Sequence, residues 1–186
     1  MKKLLLTCLI ILTAGCASSP LTVSYYLLDN DARVSQEKAP VQQHLLLKDI
    51  SVANYLQQPE LCILDDNYQL YFSSRHQWGE PLVNSIARVL NDDLLRSAAI
   101  QLVRVNDPDV VQANKWLKLN IDHFAPTSGG EVILAGTYWL GEGVQVTRQP
   151  FSYRTALEGD GYSQSVAKQR ELLVQLSESI ANQVGR

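Results

Sequence analysis

Residues 115–155 read KWLKLNIDHFAPTSGGEVILAGTYWLGEGVQVTRQPFSYRT. In the first third, Trp116, Leu117, Leu119, Ile121 and Phe124 make up the apolar set, with Lys118, Asn120 and Asp122 on the alternate positions. That period of two is the signature of a strand with one face buried. Ser128-Gly129-Gly130 supplies a turn, residues 132–140 return as a second strand, and Gly141-Glu142-Gly143 turns the chain into a third over residues 144–155. Strands joined so tightly are antiparallel, because a parallel return needs a crossover of about a dozen residues or more. Pro150 lies within the third strand and cannot donate to a ladder, so that strand is expected at a sheet edge or with a bulge.

Downstream, Gly159-Asp160-Gly161 ends the sheet, and Tyr162, Val166, Leu173, Leu176, Ile180 and Val184 recur at helical steps. Upstream, Pro81 suits a first helical turn, where its missing N–H costs nothing. Leu82, Ile86, Val89, Leu90 and Leu94 then form one helix face, opposite Asn84, Arg88, Asn91, Asp92 and Arg96. Residues 100–105 read as a strand. Residues 60–64 and 68–73 flank Asp65-Asp66-Asn67 as a hairpin, since Asp and Asn side chains favour turns. Strands are also expected over residues 23–28 and 44–52, with a polar loop at 29–43 and an irregular connection at 54–59. The sum is one α+β domain over residues 23–186, a mostly antiparallel sheet with two amphipathic helices packed on one side. No internal repeat is visible.

The first fifteen residues have a different character. Lys2-Lys3 precedes an apolar run of eleven residues, 4–14, and then Gly15-Cys16. These are the parts of a secretory signal, and the run is short of the roughly 20 residues that span a bilayer. Leu12-Thr13-Ala14-Gly15-Cys16 resembles a bacterial lipobox, which implies cleavage before Cys16 and a covalent lipid on its sulfur. The alternative is an ordinary signal cut nearby, with Cys16 left as a thiol. Residues 1–15 are thus read as a lipoprotein signal peptide and 16–22, rich in Ser, Pro and small side chains, as a lipidated tether. Ala17 after the Cys fits delivery to the outer membrane, by analogy with enterobacterial sorting.

Loss of Lys2 and Lys3 moves the formal charge from −3 to −5. A chain so acidic is a poor match for nucleic acid or an anionic membrane surface, both of which need concentrated Lys and Arg. Removal of Cys8 and acylation of Cys16 would leave Cys62 alone, without an internal disulfide; its neighbours Leu61, Ile63 and Leu64 suggest a small buried hydrophobe. His44, His76 and His123 lack metal-ligand spacing, and there is no nucleophile elbow or phosphate loop. The composition points to a binding or assembly protein: no catalytic residue, no metal and no cofactor beyond the lipid on Cys16.

The lipobox, Tyr25-Tyr26-Leu27-Leu28, Ile50-Ser51-Val52 leading to Tyr55-Leu56, Trp78-Gly79-Glu80-Pro81-Leu82 and Asp160-Gly161-Tyr162 occur in an order that resembles the PqiC/YmbA family of ABC-type transport auxiliary lipoproteins. The resemblance implies a periplasm-facing lipoprotein of the outer membrane. It would work with an MCE-domain protein and that protein's inner-membrane partner in lipid transport between membranes, as a possible homo-oligomer. Tyr55, Leu56 and Trp78 are expected at the docking surface, because aromatic anchors near loops often dominate interfaces. The competing readings are a structural or assembly lipoprotein of the outer membrane and, further off, an enzyme acting on envelope polymers.

Overall fold

The structure is a computed structural model that describes residues 22–29, 40–65, 67–159 and 161–185. Its elements are β1 (Ser24–Tyr26), β2 (Gln43–Val52), a 3-10 turn (Asn54–Gln57), β3 (Glu60–Leu64), β4 (Leu70–Trp78) and α1 (Leu82–Ala98). They continue as β5 (Ile100–Val103), a second 3-10 turn (Pro108–Gln112), β6 (Lys115–Pro126), β7 (Glu131–Glu142), β8 (Gln145–Ala156) and α2 (Tyr162–Val184).

The meander forms as its sequence predicts: β6–β7 and β7–β8 are antiparallel. Gly130, at a φ of 80°, takes the left-handed conformation of the first turn. β8 is an edge strand whose register runs unbroken through Thr137 opposite Pro150, so the proline is accommodated by the edge and not by a bulge.

The mostly antiparallel α+β architecture holds, and the first half of the chain adds to it parallel pairs and a second, smaller sheet. β2 lies between β5 and β6 and is parallel to both, giving the order β5-β2-β6-β7-β8. A separate three-stranded sheet, β1-β4-β3, contains the expected β3–β4 hairpin and a parallel β1–β4 pair. Antiparallel pairing still dominates the fold, through the long ladders of β6, β7 and β8. The parallel partners are far apart in sequence, with no turn between them whose chemistry could announce the pairing. β4 also continues past Ser73 to Trp78, and the loop expected at residues 29–43 falls largely on 30–39, outside the described residues.

Both helices pack on one face of the five-stranded sheet. Leu117, Leu119, Ile121, Phe124, Leu134 and Tyr138 form the sheet side of a contiguous buried cluster; Ile86, Leu90, Leu94, Leu172, Leu173 and Leu176 form the helix side. Each such side chain contributes roughly 1.5–3 kcal/mol by leaving water. On the outer face Trp116 lies against Gly141, where any Cβ would overlap its ring. Lys48 Nζ caps that ring at 3.9 Å from its centre. The Lys115 ammonium donates to the Val184 carbonyl at 2.7 Å, placing a cation at the C-terminal end of α2.

Candidate functional site

Cys16 lies outside the described residues. Tyr55, Leu56 and Trp78 are brought together: the 3-10 turn carries the first two, the end of β4 carries the third, and all line one small cavity with Cys62 and Gln169. Leu56 is 4 % and Trp78 8 % exposed, so both side chains belong to the core, and of the three Tyr55 keeps a part-exposed surface. The Tyr55 hydroxyl lies 3.3 Å from His123 Nδ1 and 3.4 Å from the Asp122 carbonyl. Burial pushes its ionisation up to about 12, so it is a neutral phenol at any physiological pH.

Cys62 is a free, buried thiol, as its apolar neighbours predict. Burial raises it to about 11, which removes the thiolate that metal binding or nucleophilic attack would need. Gln169, on α2, was invisible to sequence reasoning because only the packed helix aims it inward. Its Nε2 donates to the Phe124 carbonyl at 2.9 Å, while Oε1 has no protein partner beside a cavity of about 10 Å³. That is about the room of one water molecule.

Several motifs in the sequence prove to be joints of the fold. In Trp78-Gly79-Glu80-Pro81-Leu82, the Gly79 N–H donates to the Tyr26 carbonyl at 2.8 Å, and a Cβ there would press on Leu27 at 3.2 Å. Pro81 precedes the first residue of α1. Glu80 accepts from Ser85 Oγ and from Arg88, which also grips Asp29 through Nε at 2.8 Å and Nη2 at 3.0 Å. The hydrogen bonds from Arg88 are the main cause holding both carboxyls below their usual range, and they raise the guanidinium in turn. Thus the segment that leaves β1 is tied to the start of α1.

Tyr26 and Tyr162 converge on His76. The Tyr26 hydroxyl meets His76 Nδ1 at 2.8 Å, and the imidazole stacks on the Tyr162 ring with centroids 4.0 Å apart. Beside this cluster lies a groove of about 420 Å³ lined by Ile63, Pro126, Thr127, Leu157, Tyr162 and Ser165. Its lining mixes apolar side chains with three hydroxyls, those of Thr127, Tyr162 and Ser165, and one carboxylate, Glu158. Glu158 pairs with Lys168 and the Ser165 hydroxyl donates to the Gly161 carbonyl, so no nucleophile–base pair is set up and the chemistry is that of binding.

Among the described residues no group of three or more His, Cys, Asp or Glu could hold a metal ion. No helix among them is long and apolar enough to cross a membrane. What fold and site define is an α+β module whose marked sequence features serve packing and contact.

Residues 25–181 match the sequence model of the family described as the ABC-type transport auxiliary lipoprotein component, and the chain belongs to that family. As an auxiliary component it is noncatalytic. It is similar to the intermembrane transport lipoprotein PqiC of Escherichia coli, strain K12, at 25 % identity over 187 residues, covering 100 % of this chain and 99 % of the relative. The PqiC of Shigella flexneri matches with the same identity and coverage. Among solved structures, an uncharacterized protein superposes with a TM-score of 0.72 at 21 % identity, over 88 % of this chain and 99 % of that one. A Xanthomonas campestris protein superposes at 0.63 with 13 % identity, over 87 % and 91 %. These two show the fold alone.

Proposed function

We propose that the protein is a noncatalytic outer-membrane lipoprotein component of an MCE-type intermembrane lipid-transport system that supports envelope integrity. Residues 1–15 are its leader, Cys16 carries the lipid and is the whole of its prosthetic chemistry, residues 16–22 form the tether, and 23–186 are the folded unit in the periplasm. Its partners are an MCE-domain periplasmic protein with its inner-membrane companion, the outer membrane through the lipid, and further copies of itself. The observation that carries this reading is the end-to-end similarity to a lipoprotein named for intermembrane transport, together with a lipobox cysteine at the start of the mature chain. In this reading the partner contact expected at Tyr55, Leu56 and Trp78 centres on Tyr55, supported by its part-exposed surface above the buried Leu56 and Trp78.

Deletion of the gene, followed by complementation with the native chain or Cys16→Ser, tests the reading. Native protein is expected in the outer-membrane fraction, co-purifying with an MCE-domain protein and restoring the permeability barrier; Cys16→Ser is expected to lose the membrane fraction and the rescue. Pull-down of cell-wall or barrel-assembly components instead, with normal phospholipid distribution on deletion, would favour a structural lipoprotein.

A further inference from the structure

The direction of β1 fixes the end of the domain from which the tether departs. β1 pairs with β4 in parallel, Ser24 opposite His76 and Tyr26 opposite Trp78. The chain therefore enters β1 from the side of the β3–β4 hairpin tip. Cys16 precedes Ser24 by eight residues. At about 3.3–3.6 Å per residue the anchor lies no more than about 30 Å from Ser24.

The apolar side chains at that tip are turned outward. Tyr68 is fully exposed, Tyr71 54 %, Phe72 45 % and Leu70 39 % exposed. The tip is braced: Ser128 donates its N–H to the Leu64 carbonyl at 2.9 Å and its hydroxyl to Asp65 at 2.7 Å. Clustered exposed apolar side chains mark contact sites, and tyrosine, with an apolar ring and a polar tip, suits the headgroup level of a bilayer. Between Glu60 and Phe72 the charged side chains are Asp65 and Asp66, with no Lys or Arg, so the contact rests on apolar surface and not on attraction to anionic headgroups.

We infer that the β3–β4 hairpin is a second membrane contact, seating Tyr68, Leu70, Tyr71 and Phe72 in the headgroup region of the leaflet that holds the Cys16 lipid. The inference rests on the anchor reading above. The lipid alone, on a tether of Ser, Pro and small residues, leaves the orientation of the domain free; a braced hairpin fixes it. The groove lined by Ile63, Pro126, Thr127 and Leu157 lies at the same end, since Thr127 bridges Leu64, and is thereby turned toward the bilayer.

The test uses full-length lipidated protein purified from membranes and reconstituted in vesicles of phosphatidylethanolamine and phosphatidylglycerol. A nitroxide is placed at Tyr68→Cys or, at the far end of β7, at Val144→Cys in the exposed β7–β8 turn. The label at 68 is expected to be relaxed more by oxygen than by a water-soluble nickel complex, at low and high salt alike, and the label at 144 the reverse. A water-exposed label at 68 on vesicle-bound protein overturns the inference and leaves the anchor standing. So does a label at 68 that is shielded without vesicles, by a second copy or by added MCE-domain protein. If the native chain fails to float with the vesicles, the anchor itself is refuted and the inference goes with it.

Discussion

Arg170 on α2 holds Asp93 on α1 in a two-pronged ion pair, Nη2 to Oδ1 at 2.6 Å and Nη1 to Oδ2 at 2.8 Å, with the Asp93 side chain 5 % exposed. The pair crosses the seam between the two helices. Removing Arg170 leaves the buried Asp93 carboxylate with only the longer contact to the exposed Arg96, at 3.5 Å. Arg170→Ala is expected to cost about 3–5 kcal/mol, read by urea unfolding of the non-acylated Cys16→Ser chain. Arg170→Met combined with Asp93→Leu is expected to lose less than either single change, because no charge is left in the interior and Arg96, which also meets Asp93, is open to solvent.

Asp29 and Glu80, both bound to Arg88, titrate lower in the folded chain than their unfolded values of 3.8 and 4.5. The unfolded chain therefore takes up protons first as the pH drops. The stabilisation is complete well above 4.5 and is lost as the pH falls through the depressed folded values. Arg88→Met is expected to flatten the acid limb of a stability–pH curve. At neutral pH it should cost only about 1 kcal/mol, since the groups are partly solvated.

Cys62 is expected to resist thiol reagents at pH 8 in the folded protein, because burial raises its ionisation to about 11. Titration with a chromogenic disulfide should show little reaction until denaturant is added. A thiol that titrates as fast folded as unfolded would contradict its buried position.

Gly136 on β7 stands where a Cβ would overlap the Asn120 carbonyl oxygen and meet the Phe151 ring at 2.9 Å. Gly136→Ala is expected to cost about 3 kcal/mol through overpacking. Gly129→Ala, whose Cβ would find only the Thr127 hydroxyl at 3.6 Å, serves as the mild control. Thermal unfolding of the two variants should separate them clearly.

Gln169→Leu leaves the Phe124 carbonyl without its side-chain donor. The expected loss is about 1–3 kcal/mol, the cost of an unsatisfied buried acceptor. Chemical denaturation measures it.

Sequence alone determined the elements whose evidence is local. Alternation and glycine turns specify the β6–β7–β8 meander, Pro150 narrows its last strand to an edge or a bulge, and apolar spacing specifies both helices and their buried faces. Tertiary structure alone decided which distant segments meet. The parallel alignments of β2 with β5 and β6, and of β1 with β4, join strands with no turn between them, so no neighbouring residue encodes the choice. The same holds for Gln169 under Phe124, Arg170 against Asp93 and Tyr26 with Tyr162 on His76, contacts made across 45 to 136 positions and dictated by how the helices settle on the sheet. Trp78 is the instructive case: a tryptophan before a helix reads in sequence as an interface anchor or as packing, and only its burial to 8 % exposure places it in the core. Hydrophobic pattern tells a side chain to leave water, but packing decides whether a partner or the chain itself covers it.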